Sequence, residues 1–223
     1  MRKDPVRIGV FGSGSMSSFR FLHEHDPNFG KLYMFVGAFS DVPGKEGVAY
    51  AKKAGIPTAE LSFEAWRKAN GVSRTDLKAR EAYFAEVRQL IMPWSSEVIM
   101  LSGCMLLVTN PLLAEFQWRM LNVHPAFLSL LNDAGERKYR GTDVVSQAMK
   151  NGDLTGSTVH FVTGKPDMGP IVAESAALPY QLGDDPQEHQ NRMKTACDGP
   201  AFQAAFARLI PYGWPRIPWR QLP

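Results

Sequence analysis

Cysteine is scarce in this sequence of 223 residues, where only Cys104 and Cys197 occur. Neither has a partner at the spacing of a metal site or of a disulfide framework, which predicts a reducing compartment and no bound metal. The N-terminal segment holds only a short apolar run, too short for the core of a signal peptide. No apolar stretch approaches the ~20 residues that span a bilayer. We therefore expect a cytoplasmic protein that does not insert into a membrane.

A strong charge of either sign is also lacking, because 25 Lys and Arg residues face 22 Asp and Glu residues. The basic residues are scattered, so no nucleic-acid surface is expected. The densest basic group, Arg137, Lys138 and Arg140, lies in one predicted loop and indicates a local anionic ligand. We expect a single domain over residues 1–210. A Pro- and Trp-rich tail over 211–223 is expected to pack on the surface or at the subunit contact of a homodimer.

Short apolar runs alternate with segments of helical periodicity, which predicts an α/β fold with a Rossmann-like, mostly parallel sheet flanked by helices. The last two predicted strands, 157–163 and 170–178, are joined by too few residues for a crossover helix, so a C-terminal antiparallel hairpin is expected. A helix follows at 184–197, and Gly199 and Pro200 are expected to break it. The other predicted strands are 6–11, 32–40, 58–61, 97–103 and 120–124, and the other predicted helices are 15–25, 44–55, 63–69, 79–90, 110–116, 142–153 and 202–210.

The segment GSGSMSS, residues 12–18, joins the first predicted strand to the first predicted helix. Its glycines let backbone amides converge at a helix N-terminus, which favours a phosphate. A dinucleotide site is a second interpretation, with Asp41 on the ribose, although Ser17 stands where the fingerprint has its third glycine or alanine. A tight turn that binds no ligand is the third. The residues alone leave these three open.

Asn122 and His124 stand two apart at the end of the strand MLNVH. Residues i and i+2 of a strand share a face, and ligands bind where parallel strands end. Asp167, in the turn before Gly169, is expected to face them and to raise the pKa of the histidine. Such a group lacks a nucleophile but could stabilise an oxyanion and move a proton, which suits acyl transfer to an outside nucleophile. A strand end and a turn with purely structural polar residues remain the alternative.

Four segments together resemble the folate-dependent formyltransferases, and among them the branch that formylates glycinamide ribonucleotide; the resemblance covers about residues 6–198. They are NVHPAFL, STVHFVTGKPDMGPIV, VFGSGS, and REAY followed by VIMLSGCMLLVTNPLL. The resemblance implies a formyltransferase fold, 10-formyltetrahydrofolate as co-substrate without a metal, and a primary amine as acceptor. By the same resemblance, Asn122 and His124 would bind the formyl oxygen, Asp167 would set the charge of His124, and His124 would move the proton.

The resemblance also implies the two binding regions. Folate-binding positions would be Arg80, Met105, Leu106, Leu107, Val108, Thr163 and Gly164. Acceptor- and phosphate-binding positions would be Gly12, Ser13, Gly14, Ser15, Met16, Gly141 and Lys194. Small-molecule substrates are thus the expected partners, and neither nucleic acid nor a membrane is.

The acceptor half of the site departs from the family pattern. Met16 stands where relatives carry Asn, Leu106 where they carry Arg, and Cys197 where they carry an acid, and the loop 129–141 is longer than usual. Three further functions therefore stay open: an amino-sugar nucleotide formyltransferase that holds phosphate with the basic loop residues, a formyltetrahydrofolate hydrolase, and a folate- or nucleotide-binding module without turnover. The remaining histidines are interpreted as structural or solvated: His23, His25, His160 and His189.

Overall fold

The structure is a computed structural model that describes residues 4–216, 218 and 220. In this part of the chain the strands are β1 (Val6–Phe11), β2 (Tyr33–Ser40), β3 (Thr58–Glu60), β4 (Val98–Leu101), β5 (Met120–His124), β6 (Thr158–Phe161) and β7 (Ile171–Glu174). The α-helices are α1 (Ser17–His25), α2 (Glu46–Lys53), α3 (Phe63–Ala69), α4 (Leu77–Ile91), α5 (Leu112–Glu115), α6 (Val144–Lys150), α7 (Pro186–Met193) and α8 (Gly199–Leu209). The strands form one seven-stranded sheet in the order β3-β2-β1-β4-β5-β6-β7. The predicted α/β class with a mostly parallel sheet is confirmed.

The chain divides into two compact units. The N-terminal unit comprises the described residues up to Met16 together with Pro27–Met120, and the C-terminal unit comprises Ser17–Asp26 together with the described residues from Leu121 onward. Among the described residues, no helix is both long and apolar enough to cross a membrane.

Parallel pairing organises the N-terminal unit: β1 pairs with β2 and β4, and β2 pairs with β3. Every residue of β4 is buried, and so is every residue of β1 except Arg7. In the sequence β4 is therefore an unbroken apolar run and β1 is an apolar run interrupted by Arg7, as expected where both faces of a sheet are covered. Gly37 of β2 allows especially close packing, since a Cβ atom there would lie 2.0 Å from the ring of Trp94.

Antiparallel pairing organises the C-terminal unit, where β5 pairs with β6 and β6 pairs with β7. The predicted hairpin of β6 and β7 is confirmed, whereas the antiparallel β5–β6 pair was not predicted. In its register Asn122 lies opposite His160, and His124 lies opposite Thr158. Directly opposed residues share one face of an antiparallel pair, so this register brings a second imidazole to the face of Asn122 and His124.

The predicted break at Gly199 and Pro200 is wrong. A π-helical segment, Lys194–Asp198, continues from α7, and α8 begins at Gly199 with ordinary helical dihedral angles. Pro200 lies in the first turn of α8, directly after the π-helical segment, where a proline is tolerated. Gly199 serves packing instead, because a Cβ atom there would lie 2.3 Å from the ring of Phe21 in α1.

The tail also differs from the expectation at one residue. Trp214 is buried, and its ring packs edge-on against Phe161 with 6.1 Å between the ring centroids. An indole of this size contributes to the core rather than to a surface. Residues 217, 219 and 221–223 of the predicted tail lie outside the described residues.

Candidate active site

The three polar residues singled out at the strand end and the hairpin turn meet in the C-terminal unit. β5 ends at His124 because Pro125 has no N–H with which to continue the ladder. His124 Nδ1 lies 3.5 Å from Asp167 Oδ1, and its Nε2 lies 3.1 Å from the carbonyl oxygen of Tyr139. His124 is buried and the Asp167 side chain is only 12% exposed. The pair therefore interacts with little screening by water.

His160 completes this group, although the sequence indicated only a structural or solvated histidine. It is buried, its Nε2 lies 3.2 Å from Asn122 Nδ2, and the same Nε2 lies 3.6 Å from Asp167 Oδ1. His160 Nδ1 donates to the carbonyl oxygen of Phe161 at 2.9 Å. Since a neutral ring carries one N–H, its Nε2 then accepts from the Asn122 carboxamide, which fixes the orientation of that carboxamide.

Burial and the two histidines set the charge of Asp167. Burial alone would raise its pKa, but the neighbouring imidazoles of His160 and His124 and the amide of Gly141 lower the pKa to about 2. Gly141 N donates to Asp167 Oδ2 at 2.9 Å. Asp167 is therefore a carboxylate at neutral pH and faces both imidazoles through one oxygen.

The expected rise in the pKa of His124 is wrong in its net direction. Burial lowers the pKa of His124, and this effect outweighs the carboxylate of Asp167, which raises it. The Nε2 atom must carry a hydrogen, because the carbonyl of Tyr139 can only accept. In the neutral ring, Nδ1 then faces the carboxylate with a lone pair, so a proton gained there would be stabilised at once. The geometry suits a group that accepts a proton and returns it.

The turn that carries Asp167 has an unusual backbone. Asp167 has φ of 54°, in the left-handed region that non-glycine residues seldom occupy. Gly169 lies so close to β6 that a Cβ atom there would be 1.7 Å from the carbonyl oxygen of Phe161. Arg137 donates from Nη1 to the carbonyl of Asp167 and from Nη2 to that of Gly169, the latter at 2.8 Å. The turn is thus held from both sides.

The long loop 129–141 is an ordered hairpin. Lys138 N donates to the carbonyl of Leu130 at 2.8 Å, and Leu131 and Arg137 form a β-bridge. At the tip, Asn132 Oδ1 accepts from the backbone amide of Glu136 at 2.9 Å. Such side-chain acceptance is a standard way to close a turn. The loop and the Asp167 turn border an open cavity of about 390 Å³ that is lined by Asn132, Arg137, Lys138, Arg140, Gly141, Pro166 and Asp167.

The basic residues of this cavity already have protein partners. Lys138 binds Asp153 at 2.5 Å, and Arg140 lies 3.6 Å from Glu136. Lys194, the other basic residue expected to bind the acceptor, donates to Asn191 Oδ1 at 2.8 Å from the π-helical segment. An anionic ligand would therefore share these cations with carboxylates and a carboxamide.

In the N-terminal unit, several polar groups of the loop of residues 12–16 are already bonded to other parts of the protein. The amides of Gly12 and Ser13 donate to backbone carbonyls at 3.0 Å each. Ser13 Oγ donates to Asp41 Oδ1 at 2.6 Å and accepts from Met105 N at 2.9 Å. Asp41 thus helps to hold the loop in place. Burial raises the pKa of Asp41, and the hydrogen bond from Ser13 offsets part of this rise. The dinucleotide interpretation needs this carboxylate for a ribose, whereas here it is bound to a serine.

Met16 occupies the space beside this loop. It is buried with φ of 51°, and Cβ atoms placed on Gly12 or Gly47 would lie 2.6 and 2.4 Å from its Cγ. Its side chain is therefore a packing element. Among the first-loop residues expected to bind phosphate, the backbone amides of Gly14, Ser15 and Met16 are the ones left to meet an anion.

The predicted folate segment alternates in exposure. Met105 is 72% exposed, Leu106 and Val108 are buried, and Leu107 is intermediate. A segment of this kind offers an apolar edge to a ligand. Directly before this segment, shielding of the Cys104 thiol from water raises the pKa of the thiol to about 12, so it is not a nucleophile at neutral pH.

Arg80 of α4 is more buried than a solvated helical arginine. It is 9% exposed, its Nη2 donates to the carbonyl of Arg74 at 2.7 Å, and its guanidinium lies 5.8 Å from the ring centroid of Phe63. Its buried Nε atom has no hydrogen-bond partner. In the C-terminal unit, Thr163 Oγ1 donates to the carbonyl of Lys165 at 3.0 Å, next to Gly164 in the turn before Asp167.

Similarity to known proteins accords with this geometry. Residues 6–200 match the family described as formyl transferase. The chain is 31% identical over 158 residues to the phosphoribosylglycinamide formyltransferase of Escherichia coli (strain K12). This match covers 70% of this chain and 65% of that protein. The chain is also 31% identical over 207 residues to the trifunctional purine biosynthetic protein adenosine-3 of Drosophila melanogaster. This second match covers 92% of this chain and 14% of that protein. The chain thus spans less than a fifth of this trifunctional relative.

A solved structure agrees with both. The glycinamide ribonucleotide transformylase 1 of Symbiobacterium toebii superposes with a TM-score of 0.75 at 26% identity, over 94% of this chain and 92% of that chain. The matched family region contains Asn122, His124, His160 and Asp167. The chain therefore belongs to the formyl transferase family.

Proposed function

We propose that this protein transfers a formyl group from 10-formyltetrahydrofolate to a primary amine, with glycinamide ribonucleotide as the leading acceptor. The observation that carries the proposal is the group at the end of β5 formed by Asn122, Asp167 and the two buried histidines, His124 and His160. It offers a neutral N–H donor, a proton acceptor and a carboxylate side by side, in a chain of the formyl transferase family.

The reaction assigns a task to each group. The amine nitrogen forms a bond with the formyl carbon, the bond from that carbon to the folate nitrogen breaks, and one proton passes from the amine to the folate nitrogen. Asn122 gives one N–H to His160 and keeps the other for the oxyanion of the tetrahedral intermediate. His124 takes up the proton and returns it to the leaving nitrogen, while Asp167 stabilises the charged ring.

For the donor, we propose contacts with the segment Met105–Val108, with Thr163 and Gly164, and with Arg80. The alternation of exposed and buried residues in the segment supports a flat ring lying against it. The unpartnered Nε of Arg80 supports a ligand carboxylate on the guanidinium, because a buried donor left without an acceptor costs free energy.

For the acceptor, we propose that the phosphate meets the backbone amides of Gly14, Ser15 and Met16, that Lys194 adds a positive charge, and that Gly141 leaves room for the amine. Gly12 and Ser13 take a supporting role, since their amides are bonded to carbonyls. Met16 cannot supply the side-chain donor that an asparagine would, so we expect weaker phosphate binding than in relatives with that residue.

An amino-sugar nucleotide is the second acceptor that a specific observation favours. Arg137, Lys138 and Arg140 line the cavity beside Asp167, where the phosphates of such a substrate could compete with Asp153 and Glu136. An amino-sugar nucleotide would accept the formyl group by the same chemistry, and the two acceptors differ only in where their phosphates bind.

The test is a spectrophotometric assay of 10-formyltetrahydrofolate consumption by the purified protein, with glycinamide ribonucleotide, with amino-sugar nucleotides, and with no acceptor. Consumption that depends on glycinamide ribonucleotide supports the proposal. Consumption without any acceptor would make the protein a hydrolase, and binding of the folate without consumption under any condition would make it a binding module. His124→Ala serves as the inactive reference, and Arg208→Lys, a change on α8, serves as the active one.

A further inference from the structure

Arg137 links the long loop to the turn that carries Asp167. Its guanidinium donates from one nitrogen to the carbonyl of Asp167 and from the other to the carbonyl of Gly169, so it spans the turn with two hydrogen bonds. A guanidinium presents its donors in a rigid plane, which suits two acceptors at a fixed separation. Both acceptors are backbone atoms, so the contact determines where the turn lies.

This turn needs an external support. Asp167 adopts φ of 54°, a conformation that persists only when its surroundings enforce it. Two contacts restrain the residue: Gly141 N holds the carboxylate at 2.9 Å, and Arg137 holds the main-chain carbonyl. Without the second contact, the carboxylate could rotate away from His124 and His160, each of which it meets at about 3.5 Å.

The position of Arg137 follows from the hairpin of the loop. The bridge between Leu131 and Arg137 and the bond from Lys138 N to the Leu130 carbonyl fix its backbone. Burial lowers the pKa of Arg137, while Asp167 raises it. Partial burial of a cation against two neutral carbonyls costs free energy. This cost supports a role for the guanidinium in holding the turn.

We propose that Arg137 is a positioning residue that holds the Asp167 turn so that the carboxylate stays on His124 and Gly141. The inference rests on the proposed function in so far as that function assigns Asp167 to His124. The positioning role also gives the long loop a purpose beside the site, because the loop carries the guanidinium that holds the turn.

The decisive variant is Arg137→Lys, which keeps the charge but replaces the two-point fork with a single ammonium. We expect kcat to fall by about 10²-fold, the typical cost of a misplacement near 1 Å, with KM values little changed. The matched control is Arg208→Lys, because Arg208 also donates from a guanidinium to a carbonyl of the hairpin, that of Val172 at 3.0 Å, away from the turn. Wild-type kcat in Arg137→Lys, or an equal loss in both variants, would overturn the proposal.

A second readout separates positioning from general structure. The groups that act on His124 are Asp167, His160, Arg137 and the Tyr139 carbonyl. An NMR titration of the ligand-free protein should show the midpoint of His124 moving to lower pH in Arg137→Lys, since the carboxylate that supports the protonated ring is displaced while the cation remains. An unmoved midpoint contradicts the proposal.

These measurements also distinguish the positioning role from the proposed function. A shifted His124 midpoint in Arg137→Lys, in a protein that formylates no amine, would contradict the proposed function but support the positioning role. In the unaltered protein, ¹⁵N NMR of the Arg137 guanidinium should show slow rotation about the Nε–Cζ bond. Fast averaging would overturn the inference even if no variant folds.

Discussion

Replacing Asp167 by asparagine removes the negative charge between the two imidazoles while nearly keeping the shape of the side chain. In the wild-type protein this carboxylate accepts from Gly141 N and faces His124 and His160. The protonated acid and the asparagine are both neutral. The variant therefore approximates the protein with this one group protonated at every pH. The free-energy difference between the two proteins then measures the charge of the carboxylate, including its effect on the neighbouring imidazoles.

The magnitude follows from the pKa of Asp167, which is lowered from 3.8 to about 2 in the fold. Each unit of pKa corresponds to about 1.4 kcal/mol, so the ionised group stabilises the fold by about 2 kcal/mol. Because the folded-state pKa lies below the unfolded value, this stabilisation is fully present above about pH 4 and is lost as the pH falls towards 2. The difference should thus be about 2 kcal/mol at pH 6 and about 1 kcal/mol at pH 3.

Urea denaturation of both proteins at pH 6, 4 and 3 measures this difference, and titrating groups that do not face Asp167 cancel because both proteins contain them. Asp41→Asn is the matched control, and its effect should have the opposite sign. Because burial raises the pKa of Asp41, the stability of the wild type relative to Asp41→Asn should increase as the pH falls. A difference between wild type and Asp167→Asn that stays constant from pH 6 to pH 3 would refute the reasoning.

Three further substitutions test the site and the turn. His124→Ala should lower kcat by about 10²- to 10⁴-fold while folate affinity, followed by calorimetry, is retained; loss of binding with unchanged kcat would assign His124 to the folate instead. Asn122→Ala should lower kcat by about 10²- to 10³-fold in steady-state assays, and a change confined to KM would exclude an oxyanion role. Gly169→Ala should lower the free energy of unfolding in urea by about 1–3 kcal/mol, because its Cβ would meet the Phe161 carbonyl at 1.7 Å, whereas Gly164→Ala, with no atom within 4 Å, should change it little.

Local patterns in the sequence were sufficient for much of the fold. The apolar runs of β1 and β4 are buried strands, as their composition indicates, and the short link before β7 could only be a turn. Asn122 and His124 share a face because strands repeat every two residues, which needs no knowledge of the rest of the chain. Gly199 and Pro200 misled because the residue types that end helices also occur inside them when packing or the first turn requires it.

The remainder of the site depends on long-range structure. His160 lies opposite Asn122 only because β6 runs antiparallel to β5, and the sequence predicted an antiparallel partner only for β6 and β7. The pKa of His124 falls because of its burial, which a strand end does not reveal. Arg137 was identified as part of a basic group, but its partners are carbonyls 30 and 32 residues away, and no sequence spacing encodes them.

The hairpin of the long loop separates two properties that usually change together, the length of a loop and the placement of its residues. It closes on itself between Leu130 and Lys138, so residues beyond its bridge contribute little to where Arg137 lies. Lengthening the tip near Asp133 costs little in closure entropy. Insertions at this tip should therefore be tolerated, which makes it a suitable place to attach a fluorophore or an affinity tag beside the cavity without disturbing the group around Asp167.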